Sequence, residues 1–166
     1  MGNRELRLVI SGTYSTGKTT TATALSIATG LPLIDALSAR EILTDLYPGR
    51  RFQDMSSTEL MALGLKRFEE RIRTEGILYK EHGSFLSDGS VLNEWIYGTV
   101  RMRVGINPGS AFIHRLMKSI LGIPGRRFFK KYLTAYGVVS KNHAKLWYTD
   151  VVHLPVEFAM DPDGHR

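Results

Sequence analysis

The chain reads as an α/β protein, a parallel sheet covered by helices in a three-layer sandwich, and three observations say so. Gly12-Thr13-Tyr14-Ser15-Thr16-Gly17-Lys18-Thr19 spells G-x-x-x-x-G-K-[ST] between an apolar run, Leu6 to Ile10 broken only by Arg7, and a helix-permissive stretch, Thr20 to Ala28. Further short β-rich runs alternate with helical patterns along the chain, the order that builds parallel sheets. Two of those runs end in a carboxylate, Asp35 and Asp88. In a parallel sheet the C-terminal ends of the strands gather at one edge, where a ligand binds.

The first strand, loop and helix form an anion cradle. Backbone N–H groups of residues Gly12 to Thr20 and the positive helix end wrap a polyphosphate. Lys18 is placed to reach the β- and γ-phosphates, and the Thr19 hydroxyl to ligate Mg²⁺. A nucleoside triphosphate, ATP with Mg²⁺, is the expected cofactor. After the first helix, Gly30-Leu31-Pro32 marks a turn and Leu33-Ile34-Asp35 the end of a short second strand. Ala36 to Tyr47 reads as a helix stopped by Pro48-Gly49. Ser56, with Glu59 three residues on, is a capping box opening a long amphipathic helix to about Tyr79. Gly83 to Gly89 reads as a buried strand, and Val91 to Val100 as a helix. Two more helices are expected at about Ala111–Leu121 and Arg126–Ala135, parted by Gly122-Ile123-Pro124-Gly125. Tyr148 to Leu154 reads as a fourth strand stopped by Pro155. No fifth strand is legible before Arg166, so the C-terminal part of the fold is expected to be missing from the single domain spanning 1–166.

With 166 residues, 43% hydrophobic and 23% charged, the chain has the composition of one ordinary globular domain. It has no cysteine, which excludes disulfides, thiolate metal sites and a cysteine nucleophile. No apolar stretch approaches the roughly 20 residues of a membrane span, and no signal-peptide pattern opens the chain, so a cytoplasmic protein is expected. The net charge of +6 is unevenly spread. From Arg101 to Lys145 there are ten basic residues and no Asp or Glu, while the rest of the chain carries 12 basic and 16 acidic residues. That basic helical insert, at about 101–145, attracts anions.

The carboxylates decide what a P-loop is for. Asp88 lies 70 residues after Lys18, at the end of the third strand. There it can hold Mg²⁺ through water or take a proton from an attacking hydroxyl. The plainer role is an N-cap for the next helix, worth about 1 kcal/mol, but Ser90 fits that cap better. Asp35 can bind a substrate hydroxyl, and Arg40, five residues on, can grip a phosphate bidentately. Phe52, Phe68, Trp95 and Tyr97 are available to stack a ring, although aromatics at helical spacing more often fill a core.

Leu33-Ile34-Asp35 with Arg40, Leu86-Ser87-Asp88-Gly89-Ser90, and Tyr148-Thr149-Asp150-Val151-Val152-His153-Leu154-Pro155 followed by Asp163-Gly164-His165-Arg166 together resemble the P-loop nucleoside and nucleotide kinases. The ribosylnicotinamide-kinase-like ATP-binding domains are the closest in pattern. The resemblance implies a five-stranded parallel sheet of order 2-3-1-4-5, a helical lid, and ATP·Mg²⁺ as phosphate donor. It makes Asp35 the candidate base and Asp88 the Mg²⁺-side carboxylate, matches Ser90, and puts Arg166 at the start of the lid. Gly89 stands where the family pattern has an arginine, and Arg101 or Arg103 are the candidates to replace its phosphate grip.

The expected activity is a phosphotransferase: a small-molecule kinase passing the γ-phosphate to a hydroxyl or phosphate of a nucleoside, nucleotide or related metabolite. The alternative is a nucleotide-dependent ATPase or GTPase switch with no small-molecule acceptor, weakened for GTP by the absence of an N-K-x-D signature. The expected partner is thus a small phosphate acceptor and not a nucleic acid, with a homodimer open. The stretch Ala111–Leu121 has the amphipathic, cationic look of a surface-binding helix, yet a helix packed on a sheet looks the same.

Overall fold

The computed structural model describes residues 5–13, 16–104 and 123–156. These fall into two compact units, one made of segments 1–36, 71–90 and 145–166, the other of 37–70 and 91–144.

The first unit is built on a parallel sheet of order β2-β1-β3, with β1 at Arg7–Gly12, β2 at Phe85–Asp88 and β3 at Asp150–Leu154. Leu8 pairs with Leu86 and Ile10 with Asp88 on one side, Ser11 with His153 and Gly12 with Leu154 on the other. Val9 and Ile10 are both fully buried, as a central parallel strand covered on both faces requires. The expected second strand shrinks to one parallel bridge, Leu33 to Leu86, with the Ile34 N–H donating to the Leu86 carbonyl at 2.8 Å. Pro32 before it offers no N–H to a ladder, and Asp35 after it stands exposed. The spatial order nevertheless places this bridge outside β2, as the first four positions of 2-3-1-4-5 demand. The expectation about a fifth strand lies outside the described residues, which end at 156.

Helix α1, Lys18–Thr29, lays Ala22 and Leu25 against Ile10, Leu86, Leu8, Leu31, Leu33 and Leu154. Gly30, at φ +71, closes it by donating its N–H to the Ser26 carbonyl. At the opposite edge, the Arg7 guanidinium lies 5.0 Å from the Tyr79 ring centre and 5.1 Å from that of Trp147. Phe85 is fully buried beneath Trp147, and the Tyr148 hydroxyl donates to the buried Glu75 carboxylate at 2.9 Å. Burying a side chain the size of Ile10 or Phe85 is worth roughly 1.5–3 kcal/mol, so these few residues dominate the sheet's stability.

The second unit is helical. Helix α2, Ala39–Leu46, begins later than the sequence pattern indicates, because Ser38 and Glu41 form a reciprocal capping box. Its buried Ile42 and Leu43 meet Met55 and Leu63. Helix α3, Ser57–His82, opens on the expected box: the Ser56 N–H donates to Glu59 Oε2 at 2.7 Å, and the Glu59 N–H to the Ser56 hydroxyl at 3.2 Å. The same helix continues into the first unit from residue 71. Helix α4 spans Leu92–Val104 and helix α5 spans Ile123–Trp147. The expected helix at 126–135 is therefore only part of α5, and the one at 111–121 lies outside the described residues. Pro124 falls in the first turn of α5, where its missing N–H costs nothing. Gly137 does not end α5. A Cβ there would lie 2.3 Å from the Trp95 indole nitrogen, so this glycine exists to admit the ring. Along the α3–α5 contact Phe68 meets Tyr136 edge-on and Tyr136 stacks on Tyr132, with centroids 5.5 and 5.7 Å apart.

Candidate functional site

The loop after β1 is shaped by two glycines that do different things. Gly12 has φ +155, and a Cβ on it would come within 2.7 Å of Thr16 Oγ1 and 2.9 Å of the Leu154 carbonyl oxygen. Only hydrogen fits there, so β1, β3 and the loop's far side close on one point. Gly17, at φ +78 and ψ 16, turns the chain into α1 and is its N-cap. Between them the Thr16 hydroxyl donates to the Thr13 carbonyl at 2.9 Å, and the Lys18 ammonium donates to the same carbonyl. That carbonyl thus anchors both the loop's hydroxyl and its cation.

Helix α1 starts with no side-chain cap and no acidic residue in its first turn. The N–H groups of Lys18, Thr19 and Thr20 have no acceptor within the helix, and the helix end carries the equivalent of about half a positive charge. Free donors, a positive end and Lys18 together fit a polyphosphate anion. Tyr14 and Ser15 lie outside the described residues.

Asp88, the last residue of β2, is brought to this point by its pairing with Ile10. The Thr19 hydroxyl donates to Asp88 Oδ2 at 2.5 Å. A P-loop hydroxyl and a strand-end carboxylate sharing a hydrogen are one exchange away from sharing a cation. Among the described residues no group of three or more His, Asp or Glu converges on a metal-sized space. Protein sites hold Mg²⁺ by one or two side chains while phosphate oxygens and water complete the octahedron. Thr19 and Asp88 are the pair that would hold it.

Asp35 is exposed and lies two residues beyond Leu33, as Asp88 lies two beyond Leu86. The bridge carries the backbone before Asp35 along the outer side of β2, toward the strand end that bears Asp88. Arg40 is exposed in the first turn of α2, in the helical unit. Arg101 and Arg103 belong to the last turn of α4, and their side chains lie outside the described residues. Of the aromatic candidates, Phe68 packs edge-on against Tyr136 and against His143 at 6.1 Å, and Trp95 carries the Lys141 ammonium 4.2 Å from its ring centre. Both are used inside their own unit, as aromatics at helical spacing commonly are.

Two contacts were not legible in the sequence. Arg71, on α3, donates to the Ser87 hydroxyl at 2.7 Å and to the Asp88 and Gly89 carbonyls at 3.3 Å. His153 approaches Ser11, its partner across β1 and β3, with Nδ1 at 3.5 Å from the hydroxyl. No spacing announces either one, since each depends on chain segments 16 and 142 residues apart.

The family model described as AAA domain matches residues 7–166. Comparison with curated proteins finds no match. No helix among the described residues is long and apolar enough to cross a membrane. A match over nearly the whole chain, on a fold whose glycine loop, uncapped helix start and strand-end carboxylate meet at one sheet edge, makes this chain a member of the AAA domain family, a P-loop nucleotide-binding domain.

Proposed function

We propose that the chain is an ATP- and Mg²⁺-dependent small-molecule kinase of the nucleoside and nucleotide kinase type. The observation that carries this reading is Asp88 against Thr19 at the end of the glycine loop, and the exposed Asp35, just after the bridge to β2, is the second carboxylate we assign to the site. One carboxylate is enough for the nucleotide, and the second is left for an acceptor.

Bound ATP·Mg²⁺ supplies an electrophilic γ-phosphorus and the charge neutralisation that phosphoryl transfer needs. Gly12 to Thr20 would bind and orient the phosphate chain through backbone donors, and Lys18, now on the Thr13 carbonyl, would neutralise its charge. Thr19 and Asp88 hold the cation's place at the loop. Asp35 would orient an acceptor hydroxyl and take its proton as its oxygen bonds to the γ-phosphorus and the bond to the bridging oxygen of the departing ADP breaks. Arg40, Arg101 and Arg103 are the cations we assign to an anionic acceptor. Positioning and charge account for the catalysis, with no covalent enzyme intermediate.

Membership of the AAA domain family favours one competing reading, nucleotide hydrolysis without an acceptor. ADP release measured with a panel of nucleosides, nucleotides and related alcohols separates the two. Kinase activity predicts ADP formation that depends on one acceptor class, with the phosphorylated product seen by mass spectrometry. Phosphate release at the same rate with and without every acceptor would overturn the kinase reading.

A further inference from the structure

Asp88 is held at three points. Its strand is fastened to β1, and the ladder continues one residue further, the Gly89 N–H donating to the Ile10 carbonyl at 3.0 Å. Its carboxylate accepts from Thr19. The third hold comes from Arg71. One Nη reaches the Ser87 hydroxyl at 2.7 Å and the Gly89 carbonyl at 3.3 Å, while the other reaches the Asp88 carbonyl at 3.3 Å. Ser87, fully buried, donates onward to the Gly89 carbonyl at 2.9 Å. A single guanidinium therefore gathers three successive residues, and its partners in this contact are all neutral oxygens.

That hold matters because the residue after Asp88 is the one least able to keep its own shape. Gly89 sits at φ +90, and glycine has more backbone freedom than any other residue. A metal-side carboxylate must stay within about 0.5 Å of its working place. A planar fork with two separated donors can fix a turn in this way, whereas an ammonium, a point charge on a flexible stem, cannot.

We propose that Arg71, seated on Ser87, is the positioning residue for Asp88, and that it sets the carboxylate against Thr19 for the Mg²⁺-bound nucleotide. The proposal rests on the reading of Asp88 as the Mg²⁺-side carboxylate. Arg71 touches neither phosphate nor cation. It acts through the backbone of Asp88 and Gly89.

The test is calorimetric titration of the full chain with ATP, first in EDTA and then over a Mg²⁺ series. The variants are Arg71→Lys, Arg71→Met, Ser87→Ala and Asp88→Asn. Both Arg71 variants and Ser87→Ala are expected to bind ATP in EDTA as the wild type does, because the loop and helix donors are untouched. Asp88→Asn and both Arg71 variants are expected to raise the Mg²⁺ concentration for half-maximal ATP binding by about tenfold, the scale of lost support around a metal site. Ser87→Ala should shift it in the same direction by less. Should Arg71→Lys behave as wild type while Arg71→Met is impaired, charge alone matters and the positioning role is wrong. The role is equally wrong if both Arg71 variants match the wild type while Asp88→Asn does not. An Asp88→Asn protein with an unchanged Mg²⁺ requirement instead removes the reading of Asp88 on which the proposal stands. If Arg71→Met fails to fold by circular dichroism, Arg71→Lys and Ser87→Ala still decide the matter.

Discussion

Replacing Gly12 by alanine tests the loop geometry at its tightest point. The new Cβ meets two atoms of different kinds, Thr16 Oγ1 at 2.7 Å and the Leu154 carbonyl oxygen at 2.9 Å. The threonine hydroxyl ends a side chain and can rotate away at the loss of its bond to Thr13. The carbonyl belongs to the backbone of β3 and can retreat only by opening the Gly12–Leu154 pairing. Holding a side chain at φ +155 costs about 1–3 kcal/mol, and overpacking adds another ~1–3 kcal/mol. A loss of roughly 2–6 kcal/mol is a large part of the roughly 5–15 kcal/mol that holds such a domain. Melting should fall by about 5–20 °C, at roughly 2–4 °C per kcal/mol for a domain of this size. Gly17 is the control, because φ is again positive but nothing lies within 4 Å of its Cβ position. Gly17→Ala should cost only the left-handed strain of about 1–2 kcal/mol. Differential scanning fluorimetry of both variants without ligand reads the difference. Equal melting temperatures for the two, or a Gly12→Ala protein as stable as wild type, would refute the close approach of the loop to β3.

Lys18→Ala should keep its unliganded melting point and lose most of the stabilisation by ATP, which for the wild type is about 2.7 kcal/mol at 100 times Kd; an undiminished thermal shift would count against the P-loop contact. Asp88→Asn should cut turnover by about a hundredfold, the scale of one lost charge-stabilising group, with metal-free ATP binding kept, and steady-state kinetics at saturating Mg²⁺ will tell. Asp35→Asn should impair use of the acceptor and leave ATP binding intact, so a variant defective only in ATP binding contradicts its role. The Glu59 carboxyl is held below its ordinary value of 4.5, first by the Ser56 backbone N–H, then by the Ser56 hydroxyl and by Arg50. The folded chain therefore keeps this group ionised at a pH where the unfolded chain protonates it, and stability from it is present above pH 4.5 and lost as pH falls through the lowered value. Thermal melts of Glu59→Gln and wild type should differ at neutral pH and draw together as pH falls below 4.5; a gap that does not narrow on acidification would show the charge to be irrelevant.

Local signals were the legible ones. Gly12 to Thr19 announced a strand, a loop and a helix because each role there is played by neighbours in sequence. Ser56 and Glu59 announced the start of α3 for the same reason. Ser38 and Glu41 carry an equally plain box, yet the apolar pattern from Ala36 pointed earlier and hid it. Where a residue's meaning depends on what crosses it in space, sequence spacing misleads or says nothing. The helix expected to end near Ala135 runs on through Gly137, and the Trp95 ring this glycine admits comes from 42 residues upstream. Leu33 to Asp35 reads as a strand and makes one bridge, because Pro32 withholds a donor and only β2 is there to pair with. The strand-end position of Asp88 is legible in the sequence, while Arg71, which clamps the same turn, sits mid-helix among other charges and carries no sign of its target.

The central place of β1 has a bearing on how the protein is made. β1 leaves the ribosome before β2 and β3, yet Leu6 just before it reaches 78 residues ahead to Ser84 and its own Arg7 reaches 142 residues ahead to Thr149. At about 5–20 residues per second, the second of these waits roughly 7–30 s of synthesis. Until β2 emerges Val9 and Ile10, fully buried in the finished sheet, lack both strand partners, and until β3 emerges they lack one, the kind of segment that nascent-chain chaperones cover and aggregates recruit. The glycine loop is in the same position, since the wall that closes on Gly12 is the carbonyl of Leu154. A ribosome stalled before residue 154 would thus display the whole phosphate-binding motif on a chain still unable to assemble the site.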